Sequence, residues 1–398
     1  MERIYPPNLG MSHLRTSVMM PSYRESWATK SWHMDFPRTV EEITPAWLTK
    51  VLRESGAIRE ARVESFSAAG LDGGLVGEVN RLVLTYSSDS GAEPETVVAK
   101  LSIRNDGFRE IINREGFFER EVTFYEVINS QAGLPTPAVY CAEHDKESGY
   151  FILLLEDLGR FRSIKQTDDC SIEDGRTAIH ALAKMHSKWW GSDRLCEFDW
   201  LTDFTDTDEH DRWAVGFPDK LERFLEIADG YLPAGYESMA RRFGGSYGSI
   251  MGHYGKSPMT LVHGDFRLAN LVFNGESDLA NPIYAFDWQL VSRGKGAVDV
   301  AYFLGWSFAT ASRRCIENRL LTEYHDALVD GGVANYSFDE FSLDVRVGAF
   351  RFLKAAINVI GMLGQSLLET EEGTKLIRST GSRLQTLIDW NCEEVIPK

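Results

Sequence analysis

Residues 261–273 read Leu-Val-His263-Gly264-Asp265-Phe-Arg-Leu-Ala-Asn270-Leu-Val-Phe, and residues 283–289 read Ile-Tyr-Ala-Phe-Asp287-Trp288-Gln289. Short apolar runs of strand character flank both stretches. Asp265 and Asn270 are five residues apart, and Asp287 follows seventeen residues after Asn270. Two carboxylates and one amide on loops between such runs suit one task well. They can hold a divalent cation against a nucleoside triphosphate while a hydroxyl is readied to attack it. A single Asp can cap a helix and a single Asn can hold a turn. Three such residues, at this spacing and between strands, are not explained that way.

Phosphoryl transfer to a hydroxyl needs a cradle for the phosphates, a cation at the α/β-phosphates, a bridging metal and an oriented acceptor. Asn270 and Asp287 are the expected metal ligands, because Mg²⁺ prefers hard oxygen donors and takes only one or two of them from protein. Asp265 is placed to accept or orient the proton of the acceptor hydroxyl. The expected cation is Lys100, in Val97-Val-Ala-Lys100, which matches the third-strand lysine pattern of kinases. A lysine in an apolar strand needs a buried partner. Glu121 is the best placed, between Phe117, Phe118, Val122 and Tyr125, with Glu115 and Glu119 as alternatives. The cradle candidate is Gly70–Gly77, including Gly73 and Gly74, where consecutive amides can form an anion nest. Taken alone, that stretch is better read as an ordinary turn, and Asp72 is an odd neighbour for phosphate.

Outward from these motifs, the chain divides into three. Residues 1–37 have no period and read as an extended arm, a candidate contact with a second subunit in a homodimer. Residues 38–157 read as a small α+β lobe. Thr39–Ser55 is a predicted helix with Thr44 as cap and Pro45 at its first position. Strands are predicted at Val63–Ala68, Glu78–Tyr86, Thr96–Ser102, Ala138–Glu143 and Tyr150–Leu155, and one helix at Arg109–Ile128. Residues 158–398 read as a mainly helical lobe, with helices at Ser171–Trp190, within 207–255, and over 298–329, 339–366 and 371–392. The loops of 260–292 interrupt them. His180 and His186 are expected in the core, His263 as a loop-orienting residue, and Asp299 either as a tether for that loop or as a helix cap.

Composition narrows the function classes. The chain has 398 residues, 43% hydrophobic and 25% charged, enough for two lobes. A net charge of −17 argues against nucleic acid as a partner. No apolar run approaches membrane-spanning length, and MERIYPPNLG lacks the features of a signal peptide. Five scattered cysteines without a C-x-x-C pair argue against a disulfide framework or zinc site and fit a cytoplasmic protein.

The order His263-Gly-Asp-Phe-Arg-Leu-Ala-Asn270, Asp287-Trp-Gln289 and Asp299-Val-Ala-Tyr-Phe-Leu304 resembles the aminoglycoside phosphotransferase and choline kinase superfamily. Gln289, "GEVNRLVLTY", "EREVTFYEVI" and "LAKMHSKWW" resemble its ecdysteroid-kinase-like (CHK-kinase-like) branch. The resemblance covers about residues 60–395. It implies a bilobal protein-kinase-like fold, a small antiparallel sheet lobe on a helical lobe, with ATP as donor. It also implies a Lys100–Glu121 pair, Asp265 as catalytic base, Asn270 and Asp287 on Mg²⁺, and Glu156 to Leu158 as the hinge where adenine sits. Trp288-Gln289 stands where protein kinases have Phe-Gly, and His-Gly-Asp replaces His-Arg-Asp, so a phosphorylation-regulated protein kinase is not implied.

The function expected is transfer of the γ-phosphate of ATP to a hydroxyl of a small molecule. A nucleotide-binding pseudokinase or scaffold is the alternative, which loss of Lys100, Asp265 or Asp287 would have favoured. Among acceptors, an apolar or sterol-like alcohol suits the aromatic load of Trp189, Trp190, Trp213, Trp306, Phe308 and Trp390. A hydroxyacyl thioester is a second option, since residues 261–273 also resemble kinase domains fused to some acyl-CoA dehydrogenases. Only the net charge supports an aminoglycoside or other cation. Gly244-Gly-Ser-Tyr-Gly248 fits a hydrolase nucleophile elbow but follows a helical pattern. Gly255-Lys-Ser257 lacks the first glycine of a P-loop.

Overall fold

Alternation along β-strands decides the first half of the fold. The computed structural model describes residues 36–71, 77–88, 91–203, 207–254, 256, 258–274 and 282–397, so Gly73, Gly74 and nearly all of the predicted arm lie outside the described residues. Helix α1 (Pro45–Glu54) precedes strands β1 (Val63–Gly70), β2 (Gly77–Tyr86) and β3 (Thr96–Ser102). The Thr44 hydroxyl accepts from the Trp47 amide, and Pro45 opens the helix as its fixed φ favours. The helix is shorter than predicted, since Val40–Glu42 forms a separate 3₁₀ turn and Ile43 is extended.

Helices α2 (Asp106–Arg114) and α3 (Phe117–Thr123) follow, then β4 (Val139–Asp145) and β5 (Tyr150–Glu156). The five strands form one antiparallel sheet in the order β1-β2-β3-β5-β4. Leu82, Leu84, Val97, Ala99 and Leu101 line its buried face, all at 8% exposure or less. The opposite parity carries Lys100, which pairs with Val79 on one side and Leu153 on the other. The single helix predicted for Arg109–Ile128 is broken. Gly116 takes φ 72°, outside the helical region, and Phe124–Ile128 continues as a π turn. A π turn shifts the phase of the side chains after it.

The helical half contains β6 (Arg162–Ser163), α4 (Ile172–Trp189), α5 (Thr207–Ile227), α6 (Tyr236–Gly245) and α7 (Tyr247–Tyr254). The short strands β7 (Thr260–Val262), β8 (Leu271–Phe273), β9 (Ile283–Ala285) and β10 (Ser292–Gly294) then bracket the two motif loops. Strand β7 pairs with β10, and β8 with β6 and β9. Helices α8 (Ala297–Ser307), α9 (Thr310–Asp330), α10 (Phe338–Leu363), α11 (Glu371–Arg383) and α12 (Gln385–Asp389) complete the chain. The helix predicted over 298–329 is two, divided at the extended residues Phe308 and Ala309. Every residue of α8 is buried, as expected of a helix that is apolar all round.

Helix α6, not a strand, precedes Ser246, so the nucleophile-elbow geometry is absent there. His186 is in the core at 0% exposure, whereas His180 is exposed and faces Glu323 at 3.3 Å. The two lie six residues apart, about 240° around a helix, and cannot share one face. Among the described residues no helix is long and apolar enough to cross a membrane.

Candidate active site

Strand parity aims Lys100 out of β3 towards two carboxylates. Its ammonium donates to Glu121 Oε1 and Oε2 at 2.8 and 2.7 Å and to Asp287 Oδ1 at 2.8 Å. Of the three glutamates considered, Glu121 is the partner: it is 1% exposed, whereas Glu119 reaches outward to Lys146. Burial works against the Lys100 charge, but Asp287 and Glu121 outweigh it and raise its pKa. Burial pushes the Glu121 carboxyl up to about 7. Burial also opposes ionisation of Asp287, but Lys100, and after it Arg267, hold that carboxyl below its usual value.

Asp287 has φ 67°, a region Asp tolerates better than most residues. Its loop is tied to α3 and the π turn beyond it. Arg120 donates to the Gln289 carbonyl at 3.1 Å, and the Trp288 ring stacks on Phe124. Gln289 donates weakly to Asp287 Oδ2 at 3.4 Å.

Asp299, in the first turn of α8, sets the other loop. Its two oxygens accept the amides of His263 at 2.7 Å and Gly264 at 2.9 Å. Both sequence expectations for Asp299 concerned hydrogen bonding, and the tether is the one realised. His186 and Tyr324 continue the chain inward, with His186 Nε2 3.3 Å from Asp299 and Nδ1 2.7 Å from the Tyr324 hydroxyl. Burial pushes Asp299 up, but its bond to His186 and the neighbouring charges outweigh that and hold it low. Gly264 has φ +83°, and a Cβ there would lie 2.2 Å from the Leu290 carbonyl oxygen. That contact admits only glycine between His263 and Asp265. His263 is fully buried, with its imidazole against the Phe286 carbonyl at 3.2 Å, and burial lowers its pKa.

Asp265 is 6% exposed and ringed by donors. Tyr302 donates to Oδ1 at 2.7 Å and Asn270 Nδ2 to Oδ2 at 2.8 Å. Arg267 Nε is shared between the two oxygens at 3.1 and 3.2 Å. Gln166 accepts from Arg267 at 3.4 Å and from the Ala269 amide at 3.2 Å. Sequence reasoning missed Arg267, Tyr302, Gln166 and Arg120 as neighbours of the site. Arg267 and Tyr302 lie inside the quoted motifs, where a charged or hydroxyl side chain in an apolar setting calls for a polar partner. Gln166 carries no such signal.

Asn270 turns its amide nitrogen to Asp265, which leaves its carbonyl oxygen for a cation. Asp287 adds a carboxylate, and among the described residues no group of three or more His, Cys, Asp or Glu forms an all-protein metal cage. A donor set of one carboxylate and one amide oxygen fits Mg²⁺, which keeps waters and phosphates in its shell.

Glu156 and Leu158 lie at the end of β5, where Val97 pairs with Glu156 three residues before Lys100. The Glu156 carboxylate turns away, to Arg160 and to the Ala138 amide. Between Glu156 and Leu158, Asp157 is held by Arg81 through a two-pronged ion pair. A cavity of about 490 Å³ opens beside this strap, lined by Arg81, Thr96, Tyr140 and Arg160 among others.

The fold is shared with choline kinase from Cryptosporidium parvum Iowa II, at a TM-score of 0.53 and 11% identity, over 87% of this chain and 96% of that one. A Ralstonia eutropha JMP134 protein named as an aminoglycoside phosphotransferase aligns at a TM-score of 0.48 and 16% identity, over 88% and 98%. A microcompartment-associated aminopropanol kinase aligns at 0.45 and 14%, over 84% and 94%. No curated protein sequence matches the chain. A sequence profile of the ecdysteroid kinase-like family matches residues 74–333, from the β1–β2 connection through α9. With more than half its length under that profile, the chain belongs to the ecdysteroid kinase-like family.

Proposed function

We propose that this protein is a small-molecule kinase that moves the γ-phosphate of ATP, with Mg²⁺, onto a hydroxyl. The observation that carries the reading is Lys100, gripped by Glu121 and Asp287, together with Asp265, whose loop is fixed by Asp299. Lys100 binds the α/β-phosphates; Asn270 and Asp287 hold the metal; backbone at Glu156 and Leu158 receives the adenine. Mg²⁺, held by Asn270 and Asp287, would supply charge neutralisation at the phosphates. Asp265 orients the acceptor hydroxyl and takes its proton. The acceptor oxygen bonds to the γ-phosphorus, the bond to the β,γ-bridging oxygen breaks, and ADP leaves.

For the acceptor, an ecdysteroid or other apolar alcohol, in line with the family's description, or a hydroxyacyl thioester is favoured over an aminoglycoside. Trp189, Trp306 and Phe308 are core residues and add nothing to that choice. The test is an ATP-consumption screen over sterols, simple alcohols, hydroxyacyl thioesters and aminoglycosides, run beside Asp265→Asn. A turnover that survives Asp265→Asn unchanged overturns the assignment of the base. Consumption with none of these acceptors overturns the acceptor ranking.

A further inference from the structure

A carboxylate offers about four lone-pair positions. At Asp265 all four are taken: by Tyr302 and Arg267 on Oδ1, and by Asn270 and Arg267 on Oδ2. If Asp265 receives the acceptor hydroxyl, as proposed above, one donor has to leave first. Tyr302 is the shortest contact, is 4% exposed and sits on α8 three residues after Asp299. Asn270 is 4% exposed and makes a second bond, to the Asp265 carbonyl at 2.9 Å. Both are fixed.

Arg267 is the weakest held. One N–H divides itself between two oxygens beyond 3 Å, and the only other bond of the guanidinium among the described residues is the long one to Gln166. Its side chain is 23% exposed against 8% for Asp265. Its charge is also felt at Asp287. A phosphoryl group in transfer carries charge spread over three oxygens. A guanidinium matches phosphate through paired N–H groups.

We propose that Arg267 is an exchangeable guanidinium, held on Asp265 in the nucleotide-free protein and passed to the terminal phosphate of a bound nucleoside triphosphate, which frees Asp265 for the acceptor while Tyr302 keeps the carboxylate oriented. This ties base availability to the presence of the phosphate to be transferred. Arg267 is then a catalytic residue and Tyr302 a positioning residue.

The experiment is calorimetric titration of the full chain with a non-hydrolysable triphosphate analogue and with ADP, each with Mg²⁺. Wild type binds the triphosphate at least tenfold more tightly than ADP. R267Q brings that ratio close to one with ADP affinity unchanged, and Y302F keeps the wild-type ratio while lowering turnover. Should R267Q fail to fold, R267K, which keeps charge but not the paired N–H groups, is read for an intermediate ratio. A wild-type ratio near one, or a ratio unchanged in the arginine variants, overturns the inference and leaves the kinase reading intact. Wild type that binds neither nucleotide overturns the kinase reading itself, and this inference with it.

Discussion

The rings of Phe124 and Trp288 stack with centroids 3.9 Å apart and planes 10° from parallel. Phe124 opens the π turn after α3, and Trp288 follows Asp287, so the stack joins the helix of Glu121 to the loop of Asp287. Trp288→Ala opens a cavity at a fully buried site and should cost about 3–5 kcal/mol by chemical denaturation. Trp288→Phe keeps an aromatic partner and should cost about half that or less and retain nucleotide affinity. Equal stability of the two variants would show that the stack carries nothing.

Gly264→Ala forces a side chain into a left-handed backbone position and against the Leu290 carbonyl. Strain of this kind costs about 1–3 kcal/mol. Since the same peptide is held by Asp299, relief should come by shifting Asp265. The expected result is a fall in kcat of at least tenfold with nucleotide affinity little changed, read by steady-state kinetics and calorimetry.

Lys100→Met strands Glu121 in a buried site, and breaking such a pair costs about 3–5 kcal/mol. Adding Glu121→Gln removes the stranded charge. The double variant should regain part of the lost stability, measured by urea unfolding, since Asp287 still lacks its lysine, while phosphoryl transfer stays lost in both. If activity returned with stability, Lys100 would be a structural residue only.

His144 supplies a pH dependence outside the site. Burial pushes its imidazole down to about 4, and Nε2 lies 2.9 Å from Asn113 Oδ1. Below an unfolded value near 6.5, the unfolded chain binds a proton that the folded chain refuses. Its contribution to stability is therefore present above about pH 6.5 and is lost as pH falls towards 4, by up to about 3 kcal/mol. His144→Gln should flatten unfolding free energy over that window, and an unchanged acid limb would refute the assignment.

Much of this arrangement was legible because it rests on short-range spacing. The five residues from Asp265 to Asn270 and the lysine inside Val97–Lys100 are local signals, and each side chain stands where strand parity and loop length put it. The misses have other causes. Gly116 breaks a helix whose apolar spacing looked continuous, because helical period says nothing of a glycine at positive φ. His180 and His186 sit in one helix of apolar spacing, which suggests a shared core face, but six residues of separation put only His186 inside. Tyr302 and Gln166 meet Asp265 and Arg267 only through tertiary packing, across 37 and 101 residues, a distance no local pattern spans.

The pairing of β2, β3 and β5 makes the address of Lys100 a matter of odd and even. Its flanking residues Ala99 and Leu101 point to the buried side, and Lys100 points to the opposite one, where Glu121 and Asp287 meet it. Removing one residue between Thr96 and Ala99 would drive an ammonium into the oil and bring Leu101 to face Glu121 and Asp287. Removing two would leave the lysine on its proper side. Length variation in this strand is therefore filtered by parity rather than by size, and drift in steps of two is the route open to it.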